Sequence, residues 1–171
     1  MLGGVILQGF KRKRDLALVA FLIFVLISIF YIKADNLALM IILSLISIAI
    51  LLILINLNKK YYYAKLIYEN QIFSVSKQNS ISASKNENQA IVSGFGILYK
   101  NNVYKWNTDG IKGARLIRIH IGLETVKFTF GTNGKSFIIE LLHEIENKDQ
   151  MGKIVDKLWF ETGIRAKQET I

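Results

Sequence analysis

The residues able to carry chemistry in this 171-residue chain are few and scattered. Gly131-Thr132-Asn133-Gly134-Lys135-Ser136 ends like a P-loop, in which backbone N–H groups and a lysine cradle nucleotide phosphates. That loop needs glycine five residues before Gly134, where Thr129 stands, and a helix after Lys135, where Phe137-Ile138-Ile139 reads as a strand. The segment is therefore read as a hairpin turn with a solvated lysine. Ser93-Gly94-Phe95-Gly96 lacks the third glycine and the following helix of a dinucleotide fingerprint, and reads as a bulge or turn at a strand start. His120 and His143 stand 23 residues apart with no cysteine and no clustered carboxylates beside them, so no metal site is expected. Nothing resembles a nucleophile elbow. The absence of Cys also excludes a disulfide framework, a thiolate site and a cysteine nucleophile. The expectation is a chain that is not an enzyme and takes no cofactor.

The basic residues are the more informative set. The chain carries 22 Lys and Arg against 13 Asp and Glu, a formal charge of +9. Lys11, Arg12, Lys13 and Arg14 precede a long apolar region, and Lys59, Lys60 and Lys65 follow it. A cation at an anionic bilayer surface contributes ~1 kcal/mol, and the same residues hold their flanks on the cytoplasmic side. Further on, Lys100, Lys105, Lys112, Arg115 and Arg118 form a candidate patch for a partner or an anionic headgroup, with a solvated face as the plain alternative. Trp106, between Lys105 and Asn107, is expected to mark a sheet edge or a partner contact, and Trp159 to lie in a core. No motif that reads RNA or DNA accompanies the charge, so nucleic acid is not an expected partner.

The elements that position these residues begin in the apolar region. Between Leu16 and Leu57 the only charges are Lys33 and Asp35. Residues 16–32 and 37–57 are uncharged runs of 17 and 21 residues. At ~1.5 Å per residue they span roughly 25 and 32 Å, against a hydrocarbon core of about 30 Å. Four residues, 33–36, link them, which dictates an antiparallel hairpin. No small-x-small site follows the first run, so it is expected to stay uncleaved. The lysine and arginine bias places both termini in the cytoplasm of a multi-pass protein, with residues 1–15 as a basic N-terminal segment. Neither span contains an ionisable residue of the kind that lines an ion path, and Ser28, Ser44 and Ser47 are left as candidates for hydrogen bonds between helices.

Residues 58–171 carry 17 Lys and Arg against 11 Asp and Glu, and are numerous enough for one compact core. Val126, Phe128 and Phe130 alternate with polar residues, Phe137, Ile139 and Leu141 answer them, and Asn133-Gly134 between them is a strong hairpin signal. Further strands are expected at 71–76, 96–99, 103–106 and 115–121, the last with Ile117, Ile119 and Ile121 on one face and Arg118 and His120 on the other. The Ser- and Asn-rich segment 77–88 reads as a long loop or weak strand pair. A helix over 148–162 is capped by Asn147 and ended by Gly163, with Met151, Ile154, Val155, Leu158 and Trp159 at helical spacing. Short strands with regular turns point to a meandering antiparallel sheet or barrel.

Meandering strands closed by one amphipathic helix resemble the pleckstrin-homology architecture, as found in bacterial membrane proteins that place a transmembrane helix pair before a PH-like domain. The apolar–aromatic pattern with Trp and Ile in those proteins is similar to Val103-Tyr104-Lys105-Trp106-Asn107-Thr108-Asp109-Gly110-Ile111. Here the Trp-to-Ile interval is longer and the usual proline is missing. The resemblance implies an α+β membrane protein whose cytoplasmic PH-like domain acts as a non-catalytic scaffold, bound to other membrane proteins, to lipid or to its own copies. The Lys-, Asn- and Ile-rich composition fits a bacterial inner membrane. The plan also resembles antiviral effectors in which two transmembrane helices carry a β-barrel that senses a cyclic oligonucleotide. In that alternative, basic residues should point into the barrel.

Overall fold

The computed structural model describes residues 3–32, 37–76, 89–106, 115–132, 135–143, 145 and 147–168. Two compact units divide the chain, one of residues 4–63 and one built on residues 64–171.

The first unit is helical. With no proline anywhere to interrupt the backbone ladder, α1 runs from Gly3–Ile32 and α2 from Leu37–Glu69. Among the described residues, α2 alone is long and apolar enough to cross a membrane, and only 6% of its most apolar window is buried. Helix α2 continues well past the apolar run that ends at Leu57, and the first strand begins at Gln71, as the sequence predicts. Its last turn carries an i,i+4 pair of Lys65 and Glu69 at 3.6 Å, which supports helix locally by roughly 0.2–0.5 kcal/mol.

The second unit is a pair of sheets closed by a helix. Strands β1 (Gln71–Ser76), β2 (Gln89–Ser93), β3 (Gly96–Tyr99) and β4 (Asn102–Lys105) form one antiparallel meander in chain order. Strands β5 (Arg115–Ile121), β6 (Thr125–Thr132) and β7 (Lys135–Leu142) form the other, and the short β8 (Lys167–Gln168) pairs with β5 in parallel. The register of the β6–β7 hairpin closes at Thr132↔Lys135, as the sequence signal requires, with Asn133 and Gly134 outside the described residues. The two sheets remain separate ladders and no closed barrel forms among the described residues. One bond joins them at a corner, from Leu116 N–H to the Trp106 carbonyl at 3.0 Å.

Between the sheets lies one apolar core in which Val92, Ile97, Ile119, Phe128, Phe130 and Leu158 are almost fully inaccessible. Helix α3 (Lys148–Thr162) covers it with Ile154 and Leu158. Its ends are fixed as the sequence dictates. The Asn147 side chain accepts from the Asp149 and Gln150 N–H groups at 2.9 and 3.4 Å, and Gly163, at φ 70°, donates its N–H to the Trp159 carbonyl at 2.8 Å.

Two expectations are corrected by this packing. A register shift between Leu116 and Arg118 breaks the alternation of β5, so Leu116 turns inward and Ile117 stands 52% exposed over Gly131, instead of sharing a buried face with Ile119 and Ile121. Burial of the tryptophans is the reverse of that expected: Trp106 is 6% exposed and Trp159 is 45% exposed. Trp106 follows β4 at the corner where the two sheets meet and lies stacked on Phe128 and Phe130, with centroids at 5.6 and 6.0 Å. Its indole N–H donates to the Ser93 carbonyl at 2.9 Å. It bridges the core at the end of β4, the edge strand of its sheet.

Candidate functional site

In the helical unit the basic residues gather at one end. Lys11, Arg12 and Lys13 are exposed on α1, and Lys59 and Lys60 are exposed on α2. Arg14 links the two helices: its guanidinium lies 4.3 Å from the Tyr61 ring centroid, a cation–π contact. Its nitrogens also reach the Asp15 carboxylate at 2.9 and 2.7 Å, so its charge is compensated locally. Lys65, further along α2, is shared with Glu69. Among the described residues, the cations outside these two ion pairs at this end are Lys11, Arg12, Lys13, Lys59 and Lys60.

Below this basic end the surface is apolar on both helices. Leu16, Leu22, Leu26 and Phe30 on α1 are 51–71% exposed, and Leu37, Leu45, Leu52 and Ile53 on α2 are 55–69% exposed. Ser28 and Ser47 return their hydroxyls to the carbonyls of Phe24 and Leu43, at 2.8 and 2.9 Å, within their own helices. They therefore do not make the interhelical hydrogen bonds that their positions invited. Together with Ser44 and neighbouring apolar residues they line an open groove of about 320 Å³ between α1 and α2.

The second group of predicted residues does not converge on one patch. Lys100 sits in the β3–β4 turn, where Lys100 and Asn101 adopt φ of 47° and 58°, and its ammonium lies 5.2 Å from the Tyr99 ring centroid. Lys105 is at the other end of β4, opposite Gly96. The Trp106–Leu116 bond brings Lys105 and Arg115, each one residue from it, to the same corner. Arg118 is exposed on β5 opposite Thr129. Lys112 lies outside the described residues. Trp106, as above, is interior. Among the described residues the buried polar side chains are Ser47, Ser93 and His143, so no Lys or Arg there points into the core.

The other residues singled out by type resolve into structural roles. Ser93 and Gly94 open the β2–β3 turn, in which the Ser93 hydroxyl accepts the Phe95 N–H at 3.0 Å. Lys135 and Ser136 open a strand, as the hairpin reading requires. His143 is 7% exposed, with Nε2 3.1 Å from the Gly122 carbonyl and Nδ1 3.4 Å from the Ile145 N–H. With Nδ1 accepting from Ile145, the ring ties the end of β7 to the β5–β6 turn. Among the described residues no three His, Asp or Glu side chains gather as a metal ion would require.

Sequence reasoning missed a set of exposed aromatics. Phe95, Trp159 and Phe160 are 45%, 45% and 87% exposed, and they are the exposed Phe and Trp residues of the described part of this unit. The signal was present for Phe160, which at 100° per residue stands 200° away from Leu158 and hence opposite the buried stripe. No family model, curated protein or solved structure matches this chain.

Proposed function

We propose that this chain is a membrane-anchored, non-catalytic binding module of a bacterial inner membrane. In this reading α1 and α2 form a two-span hairpin with both termini cytoplasmic, and the following PH-like domain holds a partner protein or anionic lipid at the membrane. The observation that carries it is the exposed apolar surface on both helices beneath a basic end. A helix of a water-soluble core would bury that surface, whereas here the apolar window of α2 is 6% buried. The pairing of Arg14 with Tyr61 supports antiparallel spans, since it sets the start of α1's apolar run beside the far end of α2's. The positive-inside rule then assigns the basic end to the cytoplasm.

Support for the PH-like reading is the element order: four meandering strands, three more in a second sheet, then a capped C-terminal helix. The effector alternative asks for cations pointing inward, and the described cations of the β unit instead lie at its surface, which favours the scaffold. Native mass spectrometry of the protein in nanodiscs drawn from its own cells tests this. A heteromeric mass, or retained anionic lipid, is the expected result. A homo-oligomer carrying a small anionic ligand would instead establish the effector plan.

A further inference from the structure

Trp159 and Phe160 stand exposed in succession on α3. Gly94 lies against the end of Glu161, close enough that a Cβ on it would stand 2.7 Å from Oε2. This seats the β2–β3 turn against the last turn of α3 on the side of Glu161, 200° around the helix from Trp159. The Arg165 guanidinium lies 4.5 Å from the Trp159 ring centroid. Lys153, Lys157 and Phe160 follow at i, i+4 and i+7, one stripe of α3 turned away from Ile154 and Leu158. Helix α3 itself carries Lys148, Lys153 and Lys157 against Asp149, Asp156 and Glu161, and Arg165 beyond its end adds the cation that lies over Trp159.

We propose that this aromatic and cationic end of the β unit docks on the interfacial zone of the bilayer that anchors the chain, with Trp159 and Phe160 entering the headgroup layer. The side-chain chemistry selects lipid over a protein groove. Trp and Phe with flanking Lys and Arg are the residues that favour a boundary that is apolar on one side and anionic on the other. A fully aliphatic patch would carry no such preference. The proposal rests on the membrane-anchored reading above.

The test uses the full chain reconstituted into vesicles of phosphatidylcholine and phosphatidylglycerol, part of the phosphatidylcholine spin-labelled near the headgroup. The chain has two tryptophans, and Trp106 is interior, so quenching by the labelled lipid reports Trp159. Flotation with the vesicles is measured first. The expected result is that the protein floats, the Trp159 share of emission is quenched, and Trp159→Phe abolishes that quenching. Phe160→Asp, at a site 87% exposed, should reduce quenching while the chain still floats and the near-ultraviolet circular dichroism is kept. Flotation without quenching would overturn the docking and leave the anchor intact. Failure to float would overturn both. Emission that shifts with protein-to-lipid ratio but ignores the spin label would show a second copy on this surface and would equally overturn it.

Discussion

Replacement of Trp106 by Ala removes the side chain that holds the two sheets together. The indole is 6% exposed, lies stacked on Phe128 and Phe130, and supplies the donor to the Ser93 carbonyl. Truncating a buried Trp to Ala costs about 3–5 kcal/mol, and a buried carbonyl that loses its donor adds roughly 1–3 kcal/mol. Against the ~5–15 kcal/mol of an ordinary domain this is a large fraction, and the β unit should be close to unfolding at 25 °C. Trp106→Phe keeps an aromatic ring for stacking and loses only the donor and some volume, so its cost should be about 1–3 kcal/mol. The assay is urea titration of the full chain in detergent micelles, followed by near-ultraviolet circular dichroism, to which the packed aromatics of the β unit contribute. With a slope of roughly 1–3 kcal/mol per molar urea, Trp106→Ala should move the midpoint by more than about 1 M. Trp159→Ala, at a half-exposed site, serves as the control and should move it far less. Equal small shifts from both tryptophans would refute the assignment of Trp106 to the core.

Other consequences follow from the backbone and the caps. Gly96 has φ 151° and a Cβ there would stand 2.1 Å from the Tyr104 carbonyl, so Gly96→Ala should destabilise the β unit by more than about 1 kcal/mol. Gly131→Ala meets chiefly the Cδ1 of exposed Ile117, which can rotate away, and its effect should be under ~1 kcal/mol in the same titration. Asn147→Ala removes the acceptor for two N–H groups at the start of α3 and should cost about 1 kcal/mol, read as faster amide exchange in that first turn. Glu140→Gln removes the charge that the exposed Lys127 ammonium pairs with at 3.3 Å, and should change stability by less than ~1 kcal/mol in the urea titration.

How far the fold was legible depended on whether local rules acted alone. The β6–β7 hairpin and α3 were legible because Asn133-Gly134, Asn147 and Gly163 specify turns and caps within a few residues. Strand β5 was misread at Ile117 because a bulge is decided by the partner strand and leaves no mark on the alternation itself. The burial of the tryptophans was misread for related reasons. Trp106 has polar neighbours in sequence, but the corner bond to Leu116 turns it inward. Trp159 sits at helical spacing with the buried stripe, yet α3 buries only Ile154 and Leu158 fully, and Trp159 falls at the margin beside Arg165. Strand β2 was not foreseen because Gln89–Ser93 is short and follows a polar segment. The basic residues near the apolar region were legible as a set, since both runs flank it in sequence. The dispersal of Lys100, Lys105, Arg115 and Arg118 was not, because it depends on which sheet each strand joins.

The proposed double crossing of the bilayer by α1 and α2 is open to direct test. The chain contains no Cys, so single cysteines at Gln8, Ala34 and Gln168 can be introduced one at a time and labelled in whole cells with a membrane-impermeant thiol reagent. Two spans predict that the protein resists alkaline extraction, that the cysteine at position 34 is labelled from outside, and that those at positions 8 and 168 are labelled only after the membrane is opened. Positions 8 and 168 reporting opposite sides would leave a single span, and release of the protein by alkali would contradict the membrane account altogether.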